Sequence, residues 1–208
     1  MAKGVSLGQY WGVGSVLASV SQNLGALVQE VTSEVFLKAA FRHPFCSYYI
    51  GGRRLSPREA HSASSIDRML NAGATVVMQQ AQDYIPELSR VKNWVDARVG
   101  IPCRITGFFT PVGNQGLPWH RDEPHVCAIQ LEGFKSWEIE DKSPTTEWEA
   151  GPLPVDFHPR GQAKAYEMRP GDLMYGSPGV AHRTASGGEL ESFHVSIIFP
   201  NDRMGNSA

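Results

Sequence analysis

The sequence contains few cysteines, few charged residues and no long apolar run. Its three cysteines are Cys46, Cys103 and Cys127, an odd number without a CxxC pair, which argues against a disulfide framework or a zinc knuckle. We interpret them as reduced, buried thiols. No stretch approaches the roughly 20 apolar residues that a membrane-spanning helix needs, and polar residues interrupt the N-terminal apolar run.

Charge is also scarce. Charged residues make up 19% of the chain, and the formal net charge is -2. A chain so close to neutral has no general electrostatic attraction for nucleic acids or for anionic membrane surfaces. We therefore expect a cytoplasmic protein that has no nucleic-acid partner and no membrane partner.

Glycine and proline, by contrast, are abundant, with 21 and 14 residues respectively among 208. They imply many turns, which fits a fold rich in β-strands. A chain of this length with 41% hydrophobic residues suffices for one domain with a real core. We predict a single domain over residues 1–208, with a helical N-terminal part at about 1–100 and a barrel core at about 101–200.

The first hundred residues contain three predicted helices: 27–41 and 84–100 have the apolar spacing of a helix, and 56–70 begins with Ser56 as N-cap and Pro57 at the first helical position. Gly100 ends the third segment, as glycine often does at a helix C-terminus. Residues 75–79 predict a short strand between the second and third helices. The apolar stripe of the third helix consists of Leu88, Val91, Val95 and Val99.

After residue 100 the pattern changes to short strands separated by glycine and proline turns. Glu132 and Gly133 predict the turn of a hairpin between strands 126–131 and 134–139. Four prolines in residues 141–163 predict a long loop. Further strands follow up to residue 199, and this texture favours a mainly β fold, a barrel or jelly roll.

The stretch "HRD" contains a candidate metal site. In an extended chain His120 and Asp122 point the same way, because side chains alternate with period 2. His182 follows two turns and a strand. A jelly roll brings distant strand ends together at one end of the barrel, so His182 could lie beside His120 and Asp122. Two imidazoles and one carboxylate form the facial triad of non-haem Fe(II) oxygenases. Alone, the HxD pattern equally fits a satisfied core histidine and a turn aspartate.

Lys135 is the second notable residue. By alternation it shares a strand face with Trp137 and Ile139, where a lysine must either snorkel to water or pair with an anion. The distal carboxylate of a dicarboxylate ligand would serve as that anion. A solvated surface lysine fits the same periodicity.

Residues 107–139 and 168–182 together resemble the cupin-type JmjC oxygenases of the ribosomal-oxygenase branch. The shared features are a threonine-proline-glycine approach, the HxD, an "QLEGFKSW" segment and a "PGDLMYGSPGVAH" segment. The resemblance spans about 104–199, and it implies a double-stranded β-helix (jelly roll/cupin) core with N-terminal helices. It also implies bound Fe(II), 2-oxoglutarate as co-substrate, and O2 that hydroxylates a substrate and leaves succinate and CO2.

Carried over residue by residue, the resemblance assigns the centre of the site. His120, Asp122 and His182 match the metal ligands, which are also the catalytic residues. Lys135 matches the lysine that holds the distal carboxylate of 2-oxoglutarate.

The last strand adds Ser196, His194 and Ser192, which share a face and occupy positions that contact the co-substrate in the family. Phe108 departs from the family, which often has a tyrosine there to donate a hydrogen bond. Phenylalanine cannot donate, so Thr106 or Ser196 would have to replace that donor.

The resulting expectation is an Fe(II)/2-oxoglutarate-dependent hydroxylase of an amino-acid side chain, in a peptide, a protein or an amino-acid-like small molecule. Two alternatives stay open: another cupin-type metalloenzyme, such as an isomerase or a 2-oxoglutarate-independent dioxygenase, and a non-catalytic jelly-roll binding module. The family carries a dimerisation region and a winged-helix domain after the barrel, whereas this chain ends nine residues after Phe199. The family's ribosomal-protein substrate is therefore not assumed, and a homodimer is left open.

Around the site, we expect Arg121 and His125 to be exposed rim residues that can touch substrate. The proline-rich loop contains Trp148, Phe157 and His158, which either cover a substrate or form an ordinary surface loop.

Overall fold

A computed structural model gives the fold, and it describes residues 11–12, 14–43, 46–56, 59–60, 66–141, 148–159, 162–186 and 189–201. The strands are β1 (Ser15–Ser19), β2 (Cys46–Ile50), β3 (Arg53–Arg54), β4 (Thr75–Met78), β5 (Arg104–Thr110), β6 (His120–Arg121), β7 (His125–Gly133), β8 (Lys135–Glu140), β9 (Gly151–Pro152), β10 (Ala163–Met168), β11 (Asp172–Gly176), β12 (Ala181–Ser186) and β13 (Ser192–Phe199). The helices are α1 (Gln22–Val28), α2 (Ser33–Arg42), α3 (Ile66–Asn71) and α4 (Pro86–Val99), with a 3-10 turn at Ala81–Asp83.

Two antiparallel sheets face each other. The larger has the strand order β1-β11-β7-β13-β5-β4-β2-β3, and the smaller has the order β10-β8-β12-β6-β9. From β5 onward the chain passes repeatedly between the sheets, which is the winding of a double-stranded β-helix. The predicted fold class is confirmed. Strands β1 to β4 extend the larger sheet, and the single-domain organisation stays a prediction.

The predicted hairpin at Glu132 and Gly133 is wrong. Strands β7 and β8 lie where they were expected, but they belong to opposite sheets and do not pair. The chain crosses between the sheets at Gly133, which has φ 63 and lies so close to the carbonyl of Glu191 that a Cβ would overlap it. The alternating pattern identified two strands correctly, but it does not say which strand each one pairs with.

The helices cover the outer face of the larger sheet. The predicted helix over 27–41 is interrupted, because Thr32 caps a new helix and Ser33 donates two hydrogen bonds to the Glu132 carboxylate, at 2.7 and 2.6 Å. Helix α4 ends at Gly100 as predicted, although Val99 is exposed. Among the described residues no helix has the length and apolar character to cross a membrane. Residues 57–58 and 61–65 of the predicted helix at 56–70 lie outside the described residues, and α3 begins at Ile66.

Strand β13 shows how the core and the cavity divide. Phe193, Val195 and Ile197 pack into the apolar core under the helices. The alternate residues His194 and Ser196 are also buried, but they face the space between the sheets. Strand β13 is therefore buried on both faces, and its polar side chains line one wall of the space between the sheets.

Candidate metal centre and its cavity

The two histidines of the predicted triad lie directly opposite each other on neighbouring strands. His120 on β6 pairs with His182 on β12, and their ring centroids are 4.1 Å apart. His182 enters this strand after the turn at Gly179, whose amide donates to the carbonyl of Asp122 at 2.8 Å. This backbone hydrogen bond holds the turn that precedes His182 against Asp122.

Asp122 completes the group. Its Oδ1 lies 3.9 Å from His120 Nε2 and its Oδ2 lies 3.6 Å from His182 Nε2. One ligand atom from each of the three residues lies within 4.8 Å of the other two. A divalent ion bound by such atoms sits about 2 Å from each, so this spacing fits a metal between them. The structure therefore brings together the three residues that the sequence predicts.

The unused nitrogen of each ring fixes its orientation. His120 Nδ1 lies 2.7 Å from the carbonyl of Pro118, and His182 Nδ1 lies 3.1 Å from the carbonyl of Val180. Because a carbonyl oxygen only accepts, each Nδ1 carries the proton and each Nε2 has a free lone pair. Burial and the neighbouring His120 also lower the pKa of His182, which keeps it neutral at physiological pH. Both rings are thus held in the form that binds metals.

A cavity of about 730 Å³ opens beside these residues. On the wall formed by the larger sheet, three rungs of paired side chains run inward from the metal centre. Thr106 faces Ser196 in the first rung, Phe108 faces His194 in the second, and Thr110 faces Ser192 in the third. The first two rungs line the cavity, so the structure places Thr106, Ser196 and His194 inside it.

Lys135 lies at the level of the third rung and is fully buried. Its Nζ donates to Thr110 Oγ1 at 2.7 Å, and no carboxylate of the described residues lies within ion-pair distance of it. Burial lowers the pKa of Lys135 to about 7. Lys135 is not part of the cavity lining, which Thr184 and His194 form in this region. The surface-lysine interpretation is wrong, and a buried amine without a counter-ion needs an anion from outside the chain.

Two further buried polar atoms at the second rung have no hydrogen-bond partner within the described structure. They are Trp137 Nε1 and His194 Nδ1, and both side chains line the cavity. His194 stacks on Phe108 at 4.6 Å with an interplanar angle of 2°, and its edge meets Trp137. Burial and the nearby charge of Lys135 lower the pKa of His194 well below its ordinary value. Buried polar atoms are rarely left unpaired, so this rung fits a small polar ligand.

Two rim predictions are wrong. Arg121 is buried, because it points away from His120 by alternation, and it bonds Glu140 at 2.9 Å and the Gly179 carbonyl. His125 is buried as well, and its Nδ1 lies 2.9 Å from Tyr175 Oη. Both are structural residues in this fold.

The proline-rich loop lines the cavity through Ala150, Gly151 and Pro152, whereas its aromatic side chains pack beside the centre. Phe157 contacts Trp119 with ring centroids 5.5 Å apart, Trp148 lies against Gly179, and His158 is exposed. Its residues Gly151 and Pro152 form the short strand β9, which pairs with β6.

The first hundred residues contribute to the cavity, which was not predicted from the sequence. Tyr49, Arg53, Arg54, Gln79 and Gln80 line it. They reach it through the pairing of β3 with β2, β2 with β4 and β4 with β5. No local motif marks them.

A double-stranded β-helix whose cavity opens beside two histidines and a carboxylate defines a cupin-type metal-binding protein. The sequence allows a narrower assignment. The chain belongs to the JmjC domain family, because the family profile of the JmjC domain matches residues 77–206.

Similar proteins point to the ribosomal-oxygenase branch. Ribosomal oxygenase 2 of Mus musculus is 30% identical over 141 residues, covering 64% of this chain and 29% of that protein. The protein named bifunctional lysine-specific demethylase and histidyl-hydroxylase NO66 of Dictyostelium discoideum is 29% identical over 93 residues, covering 43% of this chain and 18% of its own length. The chain thus spans less than a third of the length of these relatives.

Solved structures of ycfD from Escherichia coli share the fold. One superposes with a TM-score of 0.63 at 16% identity, covering 95% of this chain and 53% of that one. Another, of the ribosomal oxygenase YcfD with cobalt and 2-oxoglutarate, has a TM-score of 0.59 at 14% identity, covering 95% and 51%. At such identities the likeness shows the fold alone.

Proposed function

We propose that this chain is an Fe(II)/2-oxoglutarate-dependent oxygenase that hydroxylates an amino-acid side chain. The observation that carries the proposal is one cavity that three metal-binding side chains line, with a buried, counter-ion-free lysine behind its wall at Thr184 and His194. The relatives support it, since they are named as ribosomal oxygenases and a histidyl hydroxylase. A peptide or protein substrate agrees with those names.

His120, Asp122 and His182 would hold the metal through two Nε2 atoms and one carboxylate oxygen. All three approach from one side, which leaves positions open for other ligands. When bound, Fe(II) and 2-oxoglutarate supply the oxygen chemistry, in which O2 hydroxylates the substrate and the keto acid becomes succinate and CO2. The chain's own part is to orient the ligands and to keep the site dry.

The rung of Phe108 and His194 lies between the metal level and the Lys135 level, and we propose that 2-oxoglutarate occupies this space. His194 can donate the hydrogen bond that Phe108 cannot, because a neutral imidazole carries one N–H. Lys135 would hold the distal carboxylate. Thr106 and Ser196, at the metal level, can bond the keto-acid end.

The direct test is to incubate the full chain with Fe(II), 2-oxoglutarate, O2 and a peptide library, and to measure succinate together with oxygen insertion by mass spectrometry. We expect succinate to appear in proportion to the hydroxylated product. If 2-oxoglutarate neither binds the metal-loaded protein nor forms succinate, a 2-oxoglutarate-independent cupin enzyme becomes the better description. If no divalent metal binds, the chain is a binding module.

The pKa of Lys135 predicts how the affinity for 2-oxoglutarate depends on pH. Only the protonated amine pairs with a carboxylate, and burial holds its pKa at about 7. The dissociation constant should therefore be constant below pH 7 and rise by up to about tenfold per pH unit above it. Calorimetry of Mn(II)-loaded protein between pH 6 and 8.5 measures this slope. A constant affinity up to pH 8.5 would contradict the role of Lys135.

Because Phe108 and His194 stack on each other, we expect a hydroxyl at position 108 to restore the 2-oxoglutarate binding that is lost when His194 is replaced. His194→Leu removes the donor and should weaken 2-oxoglutarate binding by about tenfold or more, as expected for a hydrogen bond to a charged group. Phe108→Tyr in the same variant places a hydroxyl on the neighbouring ring and should recover most of the loss. Calorimetry of both variants, with metal affinity as the control, checks this. Equal loss in the single and double variants would show that Phe108 and His194 do not share this function.

A further inference from the structure

The cavity extends away from the metal centre over strands β4, β2 and β3. Its volume of about 730 Å³ exceeds what a five-carbon keto acid fills, and lies in the range of sites that hold larger ligands. This outer lobe is lined by Tyr49, Arg53, Arg54, Gln79, Gln80 and Arg104. It has room for a second molecule beside the proposed co-substrate.

Two arginines of the outer lobe lack a counter-ion. Arg54 donates to the hydroxyl of Ser47 at 2.8 Å, and neither Arg54 nor Arg104 forms an ion pair with any residue that the structure describes. The adjacent Arg53 differs, because Glu59 binds it with two hydrogen bonds of 2.8 and 3.2 Å. The chain thus neutralises one arginine and leaves the next one available.

The two available arginines lie far apart along the lobe. The guanidinium of Arg54 bonds the Ser47 hydroxyl, Ser47 pairs with Val77, and Val77 pairs with Phe108, so this guanidinium lies level with Phe108. Arg104 begins the same strand as Phe108, four residues earlier, which is about 13 Å along a strand. The two guanidinium groups therefore mark opposite ends of the lobe and not one clamp.

Between them lie neutral hydrogen-bonding groups. Gln79 and Gln80 follow β4, and Gln80 has φ 53, a left-handed conformation that is uncommon outside glycine and is found at binding sites. Tyr49 lines the same cavity as Arg54 and Asp122. Tyr49 thus connects the outer lobe to the reactive end of the cavity.

The charges indicate what the lobe would bind. With the proposed ligands in place, Fe(II) and Lys135 offset Asp122 and the two carboxylates of 2-oxoglutarate. Outside that balanced centre, Arg54 and Arg104 face one carboxylate of the lining, Glu123. The lobe keeps a net positive charge, which favours acidic groups on a ligand.

We propose that the outer lobe binds an extended peptide segment with acidic side chains on both sides of the residue that is oxidised. A span of about 13 Å corresponds to about four residues of extended chain, more than a free amino acid can bridge. Backbone amides and carbonyls of the segment would bond Gln79 and Gln80. The oxidation of the bound residue rests on the proposed function, whereas the binding of the peptide does not.

The test uses two fluorescein-labelled ten-residue peptides, identical except that two glutamates near each end of the first are glutamines in the second. Fluorescence anisotropy measures their binding to the full chain, with and without Mn(II) and 2-oxoglutarate. We expect the acidic peptide to bind about tenfold tighter. Arg54→Gln and Arg104→Gln should each reduce that preference about threefold or more, whereas the control Arg169→Gln, an exposed residue outside the cavity lining, should retain it.

Equal binding of the two peptides, or a preference that survives both Arg54→Gln and Arg104→Gln, overturns the inference. Displacement of the acidic peptide by free glutamate at equal concentration overturns the extended-peptide part. The binding assay needs no turnover, so a protein that forms no succinate but shows the arginine-dependent preference loses the proposed function and keeps this site. Melting temperatures of the variants confirm that they fold.

Discussion

Replacing Asp122 by alanine is expected to weaken Fe(II) binding by about a hundredfold or more and to reduce succinate formation by about a thousandfold. Asp122 is the negatively charged member of the triad, and it lies 3.6 and 3.9 Å from the two imidazole nitrogens that face it. Without it, two neutral rings are left to hold a dication. Anaerobic calorimetry measures the metal affinity, and a coupled succinate assay measures turnover.

The fold should tolerate this change. The Asp122 carboxylate is 37% exposed, and the hydrogen bond from Gly179 goes to its backbone carbonyl, which alanine retains. The melting temperature without metal should therefore stay close to that of the wild type. His158→Ala, at an exposed histidine of the proline-rich loop, is the matched control and should keep both metal and activity. Full metal affinity in the Asp122 variant would remove the basis for a triad.

The triad was predictable from the sequence because each of its parts has a local signal. Alternation places His120 and Asp122 on one face, and glycine-containing turns deliver His182 to the start of a strand. Alternation also places Lys135 on one face with Trp137 and Ile139, but it left open whether that face is buried, which the structure shows it to be. Periodicity identifies which side chains share one face of a strand. In a fold of two facing sheets, the inward faces of most strands line the same interior space.

What the sequence could not show depends on pairing between distant strands. The hairpin error at Gly133 arose because alternation says nothing about which sheet a strand joins. Arg121 was expected to be exposed, yet it is buried and bonds Glu140 on β8, which belongs to the same sheet as β6 but does not pair with it. Arg54 reaches the cavity through three successive strand pairs, so its role follows from the assembled sheet and from no motif.

Lys135→Met is expected to raise the stability of the fold and to weaken the binding of 2-oxoglutarate. Burial without a carboxylate lowers the pKa of Lys135 from 10.5 to about 7. Because the folded state binds its proton less tightly than the unfolded state, Lys135 destabilises the fold at neutral pH, by about 4 kcal/mol, and this penalty fades as the pH rises from 7 towards 10.5. Methionine removes the penalty and loses one hydrogen bond to Thr110, which contributes about 1 kcal/mol.

The ligand-free variant should therefore be more stable by about 3 kcal/mol and melt about 9 °C higher, while its affinity for 2-oxoglutarate falls by about a hundredfold or more. Its metal affinity should not change, since the triad lies two rungs away. Lys164→Met, at an exposed lysine paired with Asp141 on the outer strand, is the control and should change neither quantity strongly. A Lys135 variant that is less stable and still binds 2-oxoglutarate would show that the amine serves the core. The expected combination would show that the chain keeps a destabilising charge in its interior because the ligand needs it.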